Sequence, residues 1–385
     1  MTLSTNTTPR QRLFYLDLVR SLAVFLIILT HFNNPFLTDG GFLIVNRPFG
    51  IYVGDLGVSL FLIISGAALG LTYRSAIDLK KYYWKRFLGI YPMFWIAWLL
   101  GTLYFFLDLK GHPINASSMR SIIWTVLGVD GLISNFNVQT TYLLGEWFLG
   151  FIIIFYLFFP LLSWSIDRFP ILTALGIAVA YIITIYFLNN SVSFPLSVLL
   201  TTRLPELAFG IYFIRRFKRV PLVAIVGAVV ALIATTYFAN SVQKDVSTTV
   251  VGIAVFLLLV ALSEYVAILP LREGISLVAK YSYPIFLVHH VVIYKLFNYS
   301  GIQWQTFTSV QLYMFFVAIC VISFALSLVL DRITMHVIAF FKSAFYGKWW
   351  RLHSVVEPEG ASSDSGSTEL LVAHFSSNWP KVAQK

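Results

Sequence analysis

The sequence predicts an all-α membrane protein, a polytopic bundle of about ten transmembrane helices, on three observations. Of its 385 residues, 58% are hydrophobic and only 11% are charged, whereas soluble domains carry about 25% charged residues. Apolar runs of bilayer-spanning length recur along nearly the whole chain, and a spanning helix needs about 20 such residues. In lipid no water satisfies backbone N–H and C=O groups, so each run must close its own hydrogen bonds as a helix.

Marked between polar breaks, the runs fall at residues 14–33, 53–73, 87–107, 142–164, 170–188, 195–214, 220–239, 247–268, 280–298 and 309–341. The stretch "SIIWTVLGVDGL", Ser121 to Leu132, is half a span and reads as a short interfacial or re-entrant helix in the third connection. The domain organisation expected is a cytoplasmic segment 1–13, a transmembrane domain 14–341 and a cytoplasmic tail 342–385. From about His353 the tail is polar and Ser-rich, which predicts disorder. The run after "PRQR" is too long for a signal peptide and ends without a small-residue cleavage site, so the first helix is expected to stay as an anchor. No fixed-period repeat is present, and no soluble stretch could bury a core of its own, so no appended soluble domain is expected.

Orientation follows from the basic residues. The N-terminus and the second, fourth, sixth and eighth loops hold fourteen Lys and Arg, from Arg10 to Lys280, against five in or near the opposite loops. Short cytoplasmic loops carry such an excess, so both termini are predicted to be cytoplasmic, in a multi-pass protein of the cell membrane. The net charge of +10 is then a property of loops facing anionic membrane lipids, and no nucleic-acid partner is expected. The single cysteine, Cys320, lies inside an apolar run and can form no intrachain disulfide.

The first helix carries what composition does not explain. "FYLDLVRSLAVFLIILTHF" holds Asp17, Arg20 and His31 within an apolar span, where a central Asp or Arg costs about 2.5 to 3.5 kcal/mol on insertion scales. Asp17 and Arg20 are three apart and can pair on one helix face. Arg20 and His31 are eleven apart, about three turns, which sets them on one stripe about 16 Å apart, Arg20 near the cytoplasmic end and His31 near the external end. Taken singly, Arg20 also reads as a snorkelling interface residue and His31 as an interfacial hydrogen bonder.

The pair and four further stretches resemble the acyltransferase-3 family of integral membrane acyltransferases. "YLDLVRSLAVFLIILTHF" is similar to its opening helix, with an Arg, ten residues, then a His. "GDLGVSLFLIISG", "YYWKRFLGIYPMFW", "EWFLGFIIIFYLFFPLL" and "YSYPIFLVHH" resemble its second-, third-, fourth- and ninth-helix patterns in order. Three positions depart from the pattern: Gly89 replaces a second third-helix arginine, Ile152 a fourth-helix glutamate and Ser59 a second-helix acid.

The resemblance implies transfer of an acyl group, most often acetyl from acetyl-CoA, to a hydroxyl of a cell-surface glycan or its lipid-linked precursor, with no permanently bound cofactor. The residues agree with it. CoA phosphates call for clustered cations, and "KKYYWKR" at Lys80 to Arg86 supplies four at the cytoplasmic end, although positive-inside topology also accounts for them. Donor binding is assigned to Arg20, Lys85, Arg86 and Tyr91, with Asp17 as a supporting ion pair. His31 is the catalytic candidate, because imidazole can take a proton near neutral pH. Glu146 and Trp147 are candidates for holding the acceptor, Trp147 being also an aromatic-belt residue, and His289 and His290 for a site wall or helix packing. No Gly-x-Ser-x-Gly elbow, zinc-ligand spacing or phosphate-cradling glycine loop occurs in the chain, so neither an acyl-serine nor a metal site is read. The competing class is a glycan or lipid transporter or flippase, which ten helices with buried charges also describe. It would be favoured by inverted repeats or paired broken helices, and the sequence has neither.

Overall fold

In a computed structural model, the residues described are 13–37, 42–74, 77–111, 117–141, 143–144, 147–189, 191–268, 270–298 and 300–353. They form thirteen α-helices with short 3-10 turns and one π turn, Thr184–Leu188, between them, and no strand among the described residues. In chain order these are α1 Phe14–Asn33, α2 Val53–Thr72, α3 Leu79–Asp108, α4 Ile122–Val126, α5 Asp130–Ile133, α6 Trp147–Arg168, α7 Pro170–Ile183, α8 Leu200–Arg216, α9 Leu222–Tyr237, α10 Lys244–Val266, α11 Arg272–Lys280, α12 Ser282–Asn298 and α13 Ser309–His353. Met1–Met335 forms one compact unit, and His336–Lys385 a second, of which the end of α13 is described.

Every apolar run expected as a span is helical, but the helices differ in their fitness to cross a bilayer. Among the described residues, seven are long and apolar enough, and eight if α11 and α12 make one broken span. The two expected spans outside that number are α8 and α9, of 17 and 16 residues. At about 1.5 Å per residue neither reaches the roughly 30 Å of a hydrocarbon core, and α8 also carries Arg203, Glu206, Arg215 and Arg216.

Local chemistry explains where several helices begin. The Asp78 carboxylate accepts from the Lys81 amide and caps α3, the Gln243 side chain accepts from the Asp245 and Val246 amides to start α10, and α7 opens on Pro170, whose missing N–H costs nothing at a first position. The ninth expected span, 280–298, is α12 joined to the short α11 across a 73° bend. That bend lets α11 turn back on α1, where Ser276 Oγ donates to Asp17 Oδ2 at 3.0 Å and Ser21 Oγ to the Ile275 carbonyl at 2.7 Å.

The centre of the bundle is α2, buried along most of its length. It crosses α8 at glycines: a Cβ on Gly66 would lie 2.1 Å from the Leu207 oxygen, and one on Gly210 2.0 Å from the Ile63 oxygen. Small residues are what allow two helix backbones to approach so closely. One apolar cluster joins α1 and α2 to α10 and α12, and a second joins α3, α6 and α8. The half-span at Ser121–Leu132 is the pair α4 and α5, whose turn meets the interior of α3: Tyr91 Oη donates to the Leu127 carbonyl at 2.9 Å and Trp95 Nε1 to that of Val126 at 3.1 Å. Tyr91 and Trp95 lie well inside a 30-residue helix, so the segment packs along the side of α3 rather than at its end.

Candidate active site at the end of the first helix

His31 sits in the last turn of α1, 7% exposed. The chain beyond it is stitched back on itself by Asn33, which donates to the Leu43 carbonyl through Nδ2 at 3.3 Å and accepts from its amide at 3.1 Å. Asn34 then lies beside the imidazole, with its Nδ2 3.4 Å from His31 Nδ1, and Tyr52 Oη donates to Asn34 Oδ1 at 3.0 Å. With this amide orientation the ring proton sits on Nε2. The reversed amide uses the same contacts, takes Nδ1–H on its oxygen and places the ring lone pair on Nε2.

Two further histidines meet His31 across the α1–α12 contact. Its ring centroid lies 5.2 Å from that of His289 and 5.0 Å from that of His290. His289 is fully buried, and its Nδ1 donates to the Phe286 carbonyl at 2.7 Å, which leaves the lone pair on Nε2. The structure thus brings His31 to two adjacent histidines that lie 258 and 259 positions further along the sequence. Among the described residues no group of three or more His, Cys, Asp or Glu is arranged to hold a metal ion.

A cavity of about 210 Å³ opens at His31, and Thr30, Asn34, Tyr52, Asp55 and Trp147 share its walls. Trp147, the first residue of α6, faces the same space as His31, whereas Glu146 lies outside the described residues. Asp55 is the wall residue that the sequence reading did not single out, and its signal was an acid inside the "GDLGVSL" stretch. It stands 3.6 Å from Arg203 and 3.0 Å from Lys244, while Arg203 is 3.3 Å from Glu206. The local pair read at Arg203 and Glu206 is therefore part of a network joining α2, α8 and α10. A charge held out of water needs compensation, and the buried Arg203 faces two carboxylates, one of which also meets the exposed Lys244.

The expected donor residues lie further along the bundle. Asp17 is buried and takes the Ser276 hydroxyl, with Arg20 half-buried one turn later. On α3, Lys85 and Arg86 are half-buried. The Arg86 guanidinium lies over the Tyr156 ring at 5.5 Å, and its Nε is buried without a hydrogen-bond partner. The Tyr91 hydroxyl is engaged in holding the turn between α4 and α5. The sequence reading passed over a further cationic pocket of about 260 Å³, formed by Arg74, Arg215 and Arg216 with Asp167.

The sequence profile of a family described as an acyltransferase domain matches residues 13–332. No curated protein matches the chain, and no solved structure does. The profile spans the Arg20 to His31 helix, the cavity and both charged clusters, and on that match the chain belongs to the acyltransferase-3 family of membrane acyltransferases.

Proposed function

We propose that the protein is an O-acyltransferase of the cell membrane that moves an acyl group, acetyl in the first instance, from acyl-CoA to a hydroxyl of a cell-envelope glycan or its lipid-linked precursor. The observation that carries this reading is the placement of His31, oriented by Asn34 and Tyr52 at the wall of a cavity that also presents Asp55 and Trp147. A base positioned by a second group and facing a polar cavity is the arrangement that general-base catalysis requires. Trp147 offers an aromatic face for a sugar ring, and Asp55 a carboxylate for its hydroxyls.

In this reading His31 takes the proton of the acceptor hydroxyl as its oxygen attacks the thioester carbonyl. The C–S bond then breaks, the imidazolium returns its proton to the departing CoA sulfur, and the products are an ester and free CoA thiol. Arg20, Lys85 and Arg86 hold the donor phosphates at the cytoplasmic end, and both termini lie on that side. Arg86 supports this role because its guanidinium retains a buried N–H with no internal partner, a group that gains by meeting a phosphate oxygen.

The test follows CoA thiol release from acetyl-CoA by the purified protein, with and without surface glycan from the producing cell, for the native chain and His31→Ala. Thiol release that depends on glycan and on His31 is expected. Glycan movement across proteoliposomes without thiol release would replace this reading by a transporter.

A further inference from the structure

A second cavity adjoins the one at His31. It measures about 320 Å³, and Tyr52 lines both. Its wall is made by the loop before α2, the residues that follow α9 and the start of α10, and the loop packs against the end of α9 at Gly50. There φ is +81°, and a Cβ would lie 2.7 Å from Ala239 Cβ and 2.9 Å from the Thr235 oxygen, so no side chain fits between loop and helix. Two cations line this cavity, Arg47 and Lys244, together with Asn46 and Ser247. Asn46 is 8% and Ser247 4% exposed, yet Asn46 Oδ1 and Ser247 Oγ have no hydrogen-bond partner.

Buried polar atoms are nearly always satisfied, and each left bare costs about 1–3 kcal/mol, so two such atoms in one cavity mark a place that a polar ligand completes. Their chemistry is specific. Ser247 has a hydroxyl to donate, Arg47 and Lys244 have charge to donate, and Asn46 presents an acceptor. Lys244 pairs with Asp55, but Asp55 is also held by Arg203, and the lysine side chain is 66% exposed and able to swing into the cavity. The site therefore suits a ligand that has one anionic group and a hydroxyl beside it. At about 30 Å³ per water its volume is that of about ten waters, room for one sugar ring.

We propose that this cavity is a binding subsite for an acidic sugar, the residue of the acceptor glycan next to the one acylated at His31, with its carboxylate on Arg47, Lys244 and Ser247 and a hydroxyl on Asn46. The inference rests on the acyltransfer reading for its place in the reaction, and it narrows the acceptor to an anionic glycan.

The experiment measures binding of methyl β-glucuronide and methyl β-glucoside to the protein in phosphatidylcholine nanodiscs by saturation-transfer NMR, without donor. The glucuronide is expected to bind at least tenfold more tightly than the glucoside, from charge-assisted hydrogen bonds. Arg47→Gln, on an exposed loop, and Ser247→Ala should each remove most of that preference. Equal binding of the two glycosides, or a preference unchanged in Arg47→Gln, overturns the proposal. Displacement of the glucuronide by phosphatidylglycerol in the disc assigns the cavity to a lipid headgroup, and binding of inorganic phosphate but not glucuronide assigns it to a phosphate carrier. Either result also overturns it. A protein that prefers the glucuronide yet never releases CoA thiol defeats the acyltransfer reading and leaves the subsite standing. Glycan-dependent thiol release that is equal for neutral and acidic acceptors does the reverse.

Discussion

Arg203 on α8 lies 3.6 Å from Asp55 on α2, and the arginine is 1% exposed. This contact ties the most buried cation among the described residues to a wall of the His31 cavity, so the network serves the shape of the site as well as the stability of the bundle.

Removing one partner of a buried ion pair leaves the others uncompensated, at a cost of about 3–5 kcal/mol. Arg203→Ala is expected to lower the thermal unfolding midpoint in detergent sharply. Arg203→Met combined with Glu206→Leu should recover a large part of the loss, since well-packed apolar groups of similar volume often replace a buried pair without penalty. A double variant as unstable as the single one would show that the pair contributes more than mutual compensation.

His31→Ala should reduce turnover by about 10² to 10⁴, the usual contribution of a positioned acid–base group. Folding should survive, because the histidine lies in the last turn of a helix whose core contacts are made by its aliphatic residues and by Phe32. Acyl-CoA affinity should change little, the donor phosphates being assigned three turns away. Turnover near the native rate in a folded, donor-binding variant would remove the proposed base.

Arg86→Ala is expected to weaken CoA binding about tenfold or more, and Lys80→Ala to do much less. Arg86 is half-buried with a free N–H, whereas Lys80 is exposed and solvated. Calorimetric titration with CoA distinguishes them, and equal small effects would return the cluster to a topological role.

Orientation can be read by labelling. In a Cys320→Ala background, cysteines at Ser118 and Lys218, both exposed, should differ: an impermeant thiol reagent outside intact cells should modify position 118 and spare position 218. The opposite pattern would invert the bundle and the side on which donor binds.

The α4–α5 segment carries a pH dependence. Asp130 is 3% exposed, and burial pushes its carboxyl above the ordinary 3.8, although hydrogen bonds from Gly131 and Thr125 act in the other direction. A raised folded-state value means that the folded protein holds the proton more tightly than the unfolded chain. Stability from this group is then present below 3.8 and lost as pH rises through the folded value. Asp130→Asn should flatten that slope in unfolding midpoints measured across the acid range, and an unchanged slope would assign it to other groups.

Much of this protein was legible in one dimension. Apolar runs of bilayer length must be helices because lipid leaves backbone groups no other partner, and all ten expected segments are helical. The three-turn interval from Arg20 to His31 follows from helix geometry alone, and the ordered motifs named the family before any contact was known. What sequence could not supply were relations between helices distant along the chain. His31 meets His289 and His290 across the contact of α1 with α12, the helix that follows the 73° bend, and Asp55 on α2 meets Arg203 on α8, which approaches α2 at Gly66 and Gly210, and Lys244 on α10. The number of helices long enough to span likewise turns on where helices end: α8 and α9, of 17 and 16 residues, are shorter than the apolar runs at those positions. Periodicity and hydropathy are local properties carried within a few turns, whereas a cavity is set by how side chains of separate helices interdigitate, and that is decided by packing of the whole bundle.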